Sequence, residues 1–125
     1  MSESNKVIID EDQLASLREL NEDDEDDIVT ELINIFVKHS PETLDLLSDA
    51  VKADDRPQVV KLAHKLKGSC ANLGAEYMRN LCQDLEENGT SMDAAKMNSM
   101  IEEVKNAYSE LVEVLDRDWR KKPAA

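Results

Sequence analysis

Residues 63–74 run Ala63-His64-Lys65-Leu66-Lys67-Gly68-Ser69-Cys70-Ala71-Asn72-Leu73-Gly74, a helix-compatible stretch that carries one histidine. At ~100° per residue, Val59, Leu62, Leu66, Ser69, Cys70 and Leu73 gather on one side of such a helix, while Val60, Lys61, His64, Lys67, Gly68 and Ala71 gather opposite them. The imidazole therefore stands outside the core, flanked by cations and one turn from a residue with no side chain. A neutral imidazole at cytoplasmic pH has a lone pair free for attack, and phosphoryl transfer asks little of a protein beyond alignment and charge neutralisation. Lys67, one turn further along, is the best placed cation to neutralise a phosphate on the ring. Lys61 lies one turn earlier, and Lys65 is adjacent in the chain but rotated away by ~100°.

Glycine inside a helix costs ~1 kcal/mol relative to alanine, so the benefit of Gly68 must be space. That space either lets a partner's active-site loop reach the imidazole or lets a neighbouring helix pack closely. Its position on the His64 face, away from the apolar face, favours access.

The run resembles the motif of histidine-containing phosphotransfer domains, in which a histidine is followed by an aliphatic residue, a lysine, a glycine, two small residues and a later Leu-Gly. This sequence has them as His64, Leu66, Lys67, Gly68, Ser69 with Cys70, and Leu73-Gly74. The resemblance extends over roughly Val7 to Tyr108. It implies a phosphorelay intermediate in which His64 accepts phosphate from an aspartyl phosphate on a receiver domain and passes it to the aspartate of another response regulator. The implied partners are the receiver domains of hybrid histidine kinases and of response regulators. The receiver brings the magnesium, so no cofactor or metal is implied for this chain. The implied docking surface consists of small and apolar residues round the histidine, here Val60, Ala71 and Ala75. Some members hold the imidazole with a glutamine on the following helix; at the comparable distance this chain has Glu86, with Gln83 one turn before it. A carboxylate there would orient the ring and raise its basicity, or else stand solvated on the surface.

These residues need a scaffold, and the periodicity predicts an all-α one of five or six helical segments. Asp10 followed by Gln13 is a capping pattern for a short, lid-like helix carrying Leu14, Leu17 and Leu20. The acidic run from Glu22 to Asp27 then suits the start of a helix bearing Ile28, Leu32, Ile35 and Phe36. Ser40-Pro41 is expected to restart the chain, with Ser40 as N-cap and a kink at Pro41, before Leu44, Leu47 and Val51. Asp55 with Gln58 caps the helix of His64. Gly74 marks a break or a close contact, and Tyr77, Met78, Leu81, Cys82 and Leu85 form the next stripe, closed by Gly89 as a C′ residue. The last helix is expected from near Ser91 through Met97, Ile101, Val104, Tyr108, Leu111 and Leu115 to about Trp119, with Arg120 to Ala125 as a frayed end. The architecture expected is an up-and-down four-helix bundle with one or two short accessory helices. One domain would span residues 1–125, with its core at about 7–119.

Composition narrows the alternatives. A net charge of −13 opposes nucleic acid, which needs a basic stripe, and leads us to expect a monomer. No apolar stretch approaches the ~20 residues of a membrane span, and the polar start Met1-Ser2-Glu3-Ser4-Asn5-Lys6 is no secretory signal. A cytoplasmic protein is expected. Cys70 and Cys82 fall at apolar helical positions and read as buried thiols in a reducing compartment. The glycines, Gly68, Gly74 and Gly89, are too scattered to build a phosphate-cradling loop, so the chain is expected to carry phosphate rather than take it from ATP as an enzyme would. Two rivals are weaker. A receiver-binding adaptor would not require both His64 and Lys67, and a metal site from His39, His64, Cys70 and Cys82 fails because their helical faces diverge.

Overall fold

The computed structural model describes residues 6–21 and 27–121. It contains helices α1 (Glu11–Glu19), α2 (Ile28–Lys52), α3 (Arg56–Leu73), α4 (Glu76–Asn88) and α5 (Ala94–Val114), followed by a π-helical turn, Leu115–Trp119. Aspartates start most of them: the side chains of Asp10, Asp27, Asp55 and Asp93 each accept from the backbone N–H three residues on, which satisfies one of the free donors of the first turn. Short connections make successive helices antiparallel. Helix α3 packs between α2 and α4, and α5 closes the bundle against α4 and α2.

The core is the meeting of four apolar stripes: Val29, Ile33, Phe36, Leu44 and Leu47 from α2; Val59, Leu62, Leu66, Cys70 and Leu73 from α3; Met78, Cys82 and Leu85 from α4; Met97, Ile101, Val104 and Leu111 from α5. The Phe36 and Tyr108 rings meet at 5.7 Å between centroids. Helix α1 lies over the C-terminal end of α3. Its Leu14 is fully buried, the Asp10 N–H donates to the Gly74 carbonyl at 2.7 Å, and Gln13 Nε2 donates to the Ala71 and Asn72 carbonyls at 2.7 and 3.3 Å. The last carbonyls of α3 are thus satisfied by a separate helix. The lid-like role expected of α1 matches this placement.

Several expectations are corrected. Ser40 is not an N-cap; it is buried in the middle of α2, which runs unbroken through Pro41. Proline lacks the N–H of that helical bond, but Phe36 and Ser40 before it and Thr43, Leu44 and Leu47 after it bury one continuous stripe, and that packing holds the helix together. Ile35 was expected with the apolar stripe and is instead 57% exposed. Gly89 ends α4 in the right-handed region (φ −59), not as a left-handed cap; a Cβ there would sit 2.5 Å from the Leu85 carbonyl and 3.0 Å from Val60 Cγ2, so close packing requires it. Helix α5 starts at Ala94, not Ser91, because Asp93 supplies the cap.

The acidic run lies outside the described residues at 22–26, but Asp27 is the α2 N-cap and more. Arg18 donates to both its carboxylate oxygens, at 2.9 and 2.6 Å, and also to the Trp119 carbonyl; Thr30 Oγ1 donates to Asp27 Oδ2 at 2.7 Å. Arg120 and Lys121 are held rather than frayed: Arg120 pairs with Asp116 at 3.0 Å, and the Lys121 N–H donates to Thr30 Oγ1 at 2.8 Å. Residues 122–125 of the expected tail lie outside the described residues.

Candidate functional site

Helix α3 presents His64 on its exposed face because its apolar positions fill the opposite one. The side chain of His64 is 67% exposed, the most open member of any ion pair at this end of α3. Leu62, Ala63 and Leu66 on either side of it are buried, which fixes the helix rotation and hence the direction in which the ring projects. Gly68 follows one turn on, exposed, and a Cβ built there would meet no atom within 4 Å. No neighbouring helix uses the space that Gly68 leaves, so the close-packing reading of this glycine fails.

The partner of the ring comes from α4. His64 Nδ1 lies 2.7 Å from Glu86 Oε2. A carboxylate can only accept, so Nδ1 carries the proton and donates. The same carboxylate faces Lys67, whose Nζ is 2.6 Å from Oε1. Glu86 Oε1 is closed off from solvent, and Lys67 is the group that faces it among the described residues. Lys67 first, and His64 second, hold the Glu86 carboxyl below its ordinary range and keep it ionised. Glu86 is therefore the one of the two residues that the sequence offered that touches the ring. Gln83 is not: its amide donates to Glu87 at 2.7 Å, one turn along the outer face of α4.

Lys61 and Lys65 are exposed on α3, and neither has an ion pair among the described residues. Ala71 is exposed on the His64 side and Val60 is half-buried, in keeping with a surface that a partner can touch. Ala75 is not part of that surface. It is fully buried at the start of α4, where the two-residue link Gly74-Ala75 turns inward between α3 and α4. Cys70 and Cys82 are both buried free thiols on facing helices, and Cys82 beside it, together with burial, pushes the Cys70 thiol up. His39 lies elsewhere, in a groove of about 180 Å³ between α2 and α3 lined also by Leu32, Ile35, Phe36, Ser69 and Asn72. Among the described residues no group of three or more His, Cys, Asp or Glu is placed to hold a metal, and no helix is long and apolar enough to cross a membrane.

The groove is a feature that sequence reasoning missed. Asn72 continues the row His64, Gly68 at i+4 intervals, so the groove opens ~12 Å along α3 from the imidazole. The signal available was Ile35, an isoleucine standing on the far side of the α2 stripe from Ile33 and Leu44.

Comparison with known proteins adds the lineage of this arrangement. Residues 31–114 match the Hpt domain. Over 85 residues the chain is 31% identical to the Multistep phosphorelay regulator 1 of Schizosaccharomyces pombe, a match covering 68% of this chain and 29% of that protein. It is 30% identical over 82 residues to the Sensor protein TorS of Escherichia coli K12, covering 63% of this chain and 9% of that one. The chain thus spans less than a third of the length of either relative. The crystal structure of histidine-containing phosphotransfer protein B (HptB) from Pseudomonas aeruginosa PAO1 is similar with a TM-score of 0.78 and 28% identity, covering 89% of this chain and 93% of that one.

Proposed function

The chain belongs to the Hpt domain family, and we propose on that premise that it is a phosphorelay intermediate with His64 as the phosphoacceptor. His64 takes a phosphoryl group from the aspartyl phosphate of one receiver domain and gives it to the aspartate of another. The observation that carries this reading is the 2.7 Å contact between Nδ1 and Glu86, because it holds the proton on Nδ1 and leaves the free lone pair on Nε2 as the nucleophile, on an exposed ring beside the empty space over Gly68. In-line transfer needs the donor phosphorus within ~3.5 Å of Nε2, and an ordinary side chain at position 68 would stand in the way of the loop that brings it.

The chain's own part is nucleophile, alignment and charge. Lys67 is the cation within reach of a phosphoryl group on Nε2, with Lys61 and Lys65 adding a diffuse positive field on an otherwise acidic protein. The magnesium ion that neutralises the donor aspartyl phosphate belongs to the receiver. Docking would rest on Val60, Ala71 and the bare backbone at Gly68, and extend over Asn72 into the groove beside Ile35 and His39. Kinases and response regulators that carry receiver domains are therefore the partners, and the chain acts as a carrier of phosphate with no nucleotide site of its own.

The test is transfer. Purified wild-type and His64→Gln chains are mixed with phosphorylated receiver domains and magnesium, and acid-labile, alkali-stable phosphate is followed. Label on the wild type alone is expected. A receiver that binds tightly and leaves the wild type unlabelled would show an adaptor instead.

A further inference from the structure

The two oxygens of the Glu86 carboxylate are committed to two different groups of the same site. Oε2 accepts from His64 Nδ1 at 2.7 Å, and Oε1 faces Lys67 Nζ at 2.6 Å. A neutral amide would suffice to orient the ring, since its carbonyl oxygen also accepts from Nδ1. The negative charge must matter for something else. Resting on the assignment of His64 as phosphoacceptor, we propose that Glu86 is a positioning residue that keeps the phosphoryl group transferable, by balancing the charge of the phosphorylated ring and by competing with the phosphoryl oxygens for Lys67.

The bond changes show where the charge goes. On loading, the Nε2 lone pair attacks phosphorus, the N–P bond forms, and the P–O bond to the receiver aspartate breaks with its electron pair leaving on the carboxylate. The Nδ1 proton stays in place. The ring is then an N-phosphorylated imidazolium whose positive charge lies against Glu86. On unloading, an acceptor aspartate oxygen attacks phosphorus, the N–P bond breaks, and its electron pair returns to Nε2 to restore the neutral ring. No proton has to move in either direction. If Nδ1 lost its proton while loaded, an imidazolate would have to leave, and the N–P bond would persist.

Lys67 acts in the same sense. Its Nζ lies 2.6 Å from Oε1, a closed-off oxygen that no other group faces among the described residues. When Lys67 swings to the phosphoryl oxygens, Oε1 loses its nearest cation and the carboxylate is left with the imidazolium alone. That cost falls on the loaded state alone and shortens its life. The other charged groups near the ring in the chain are Lys61, one turn before on α3, and Lys65, rotated away, neither of which is altered by a change at position 86; on α4, Glu87 is engaged with Gln83.

Glu86→Gln tests the proposal, since the amide is isosteric and keeps the Nδ1 hydrogen bond. Wild type and variant are loaded from a phosphorylated receiver domain, separated from it, and the loss of phosphohistidine is timed between about pH 5 and pH 9, spanning the range in which imidazoles titrate. The variant should hold its phosphate about three- to fivefold longer at neutral pH, the range open to an ion pair that is only half-buried. Its rate of loss should also fall off at lower pH than that of the wild type, a displacement that a purely orienting role would not produce. An unchanged or shorter lifetime with an unmoved pH profile, on a wild type that does load, overturns this inference alone. A wild type that never loads overturns the His64 assignment and this inference with it.

Discussion

Gly68 lies one turn beyond His64 on the exposed face of α3, and none of the described residues would touch a Cβ placed there. The helix therefore carries the entropic cost of a glycine with no return inside its own fold. The return lies with whatever approaches His64.

Gly68→Ala should raise stability by ~1 kcal/mol in urea denaturation, because the helix gains propensity and meets no clash. A longer side chain, as in Gly68→Gln, should leave the fold equally sound and slow phosphate uptake from a receiver by ~100-fold, the loss expected when reacting atoms are held ~1 Å out of place. Equal slowing and unfolding in Gly68→Gln would show that the position is structural.

Lys67→Ala removes the cation within reach of the ring and leaves the Glu86 carboxylate with His64 as its one partner. Phosphate uptake should fall by ~10- to 100-fold while the melting temperature changes little, since the Lys67 pair is at the surface. Stopped-flow transfer alongside thermal unfolding separates the two effects.

Asp27 gives the molecule an acid-sensitive joint. The Arg18 guanidinium, foremost, and then Thr30 hold its carboxyl far below the ordinary value of 3.8, against a burial that pushes it up. A depressed pKa in the folded state contributes stability that is full above the ordinary carboxylate pKa and is lost as pH falls below it. Asp27→Asn should therefore cost about 2 kcal/mol at pH 7 by urea denaturation, and the gap to wild type should narrow as pH drops below ~4. A gap that does not change with pH would mean that the Asp27–Arg18 pair is not what the aspartate contributes.

Gly74 and Gly89 should respond to alanine differently from Gly68. Gly74 holds φ +68, and an added Cβ would lie 3.1 Å from Gln13 Oε1 and 3.2 Å from Asp10 Cβ. Gly74→Ala should lose about 1–3 kcal/mol by strain at the left-handed position, and Gly89→Ala should lose a similar amount through the Leu85 carbonyl and Val60. Both losses are read by chemical denaturation.

The face of His64 was legible because a helix period fixes direction within one element, and Leu62, Leu66 and Cys70 left only one side open. The aspartate caps at Asp10 and Asp55 were legible for the same local reason. The choice between Glu86 and Gln83 was not, since both project from the outer half of α4 and only the rotation of α4 against α3 decides which reaches the ring. Ala75 misled because small residues serve tight turns and docking surfaces alike. Pro41 misled because its local cost is real, and only the buried stripe on both sides of it outweighs that cost. Ile35 looked like core by composition, and its exposure is set by where α3 stops covering α2.

His64 and Glu86 sit on one helical hairpin, joined by the two-residue link Gly74-Ala75, whereas α1 caps the end of α3 from about half the chain away. The order of assembly follows from loop closure, since short loops close with the smaller entropy loss and the higher rate. The ring and its carboxylate can meet as soon as α3 and α4 have emerged and paired, whereas Thr30 with Lys121 and Arg18 with Trp119 must wait for the C-terminal end and close far longer loops.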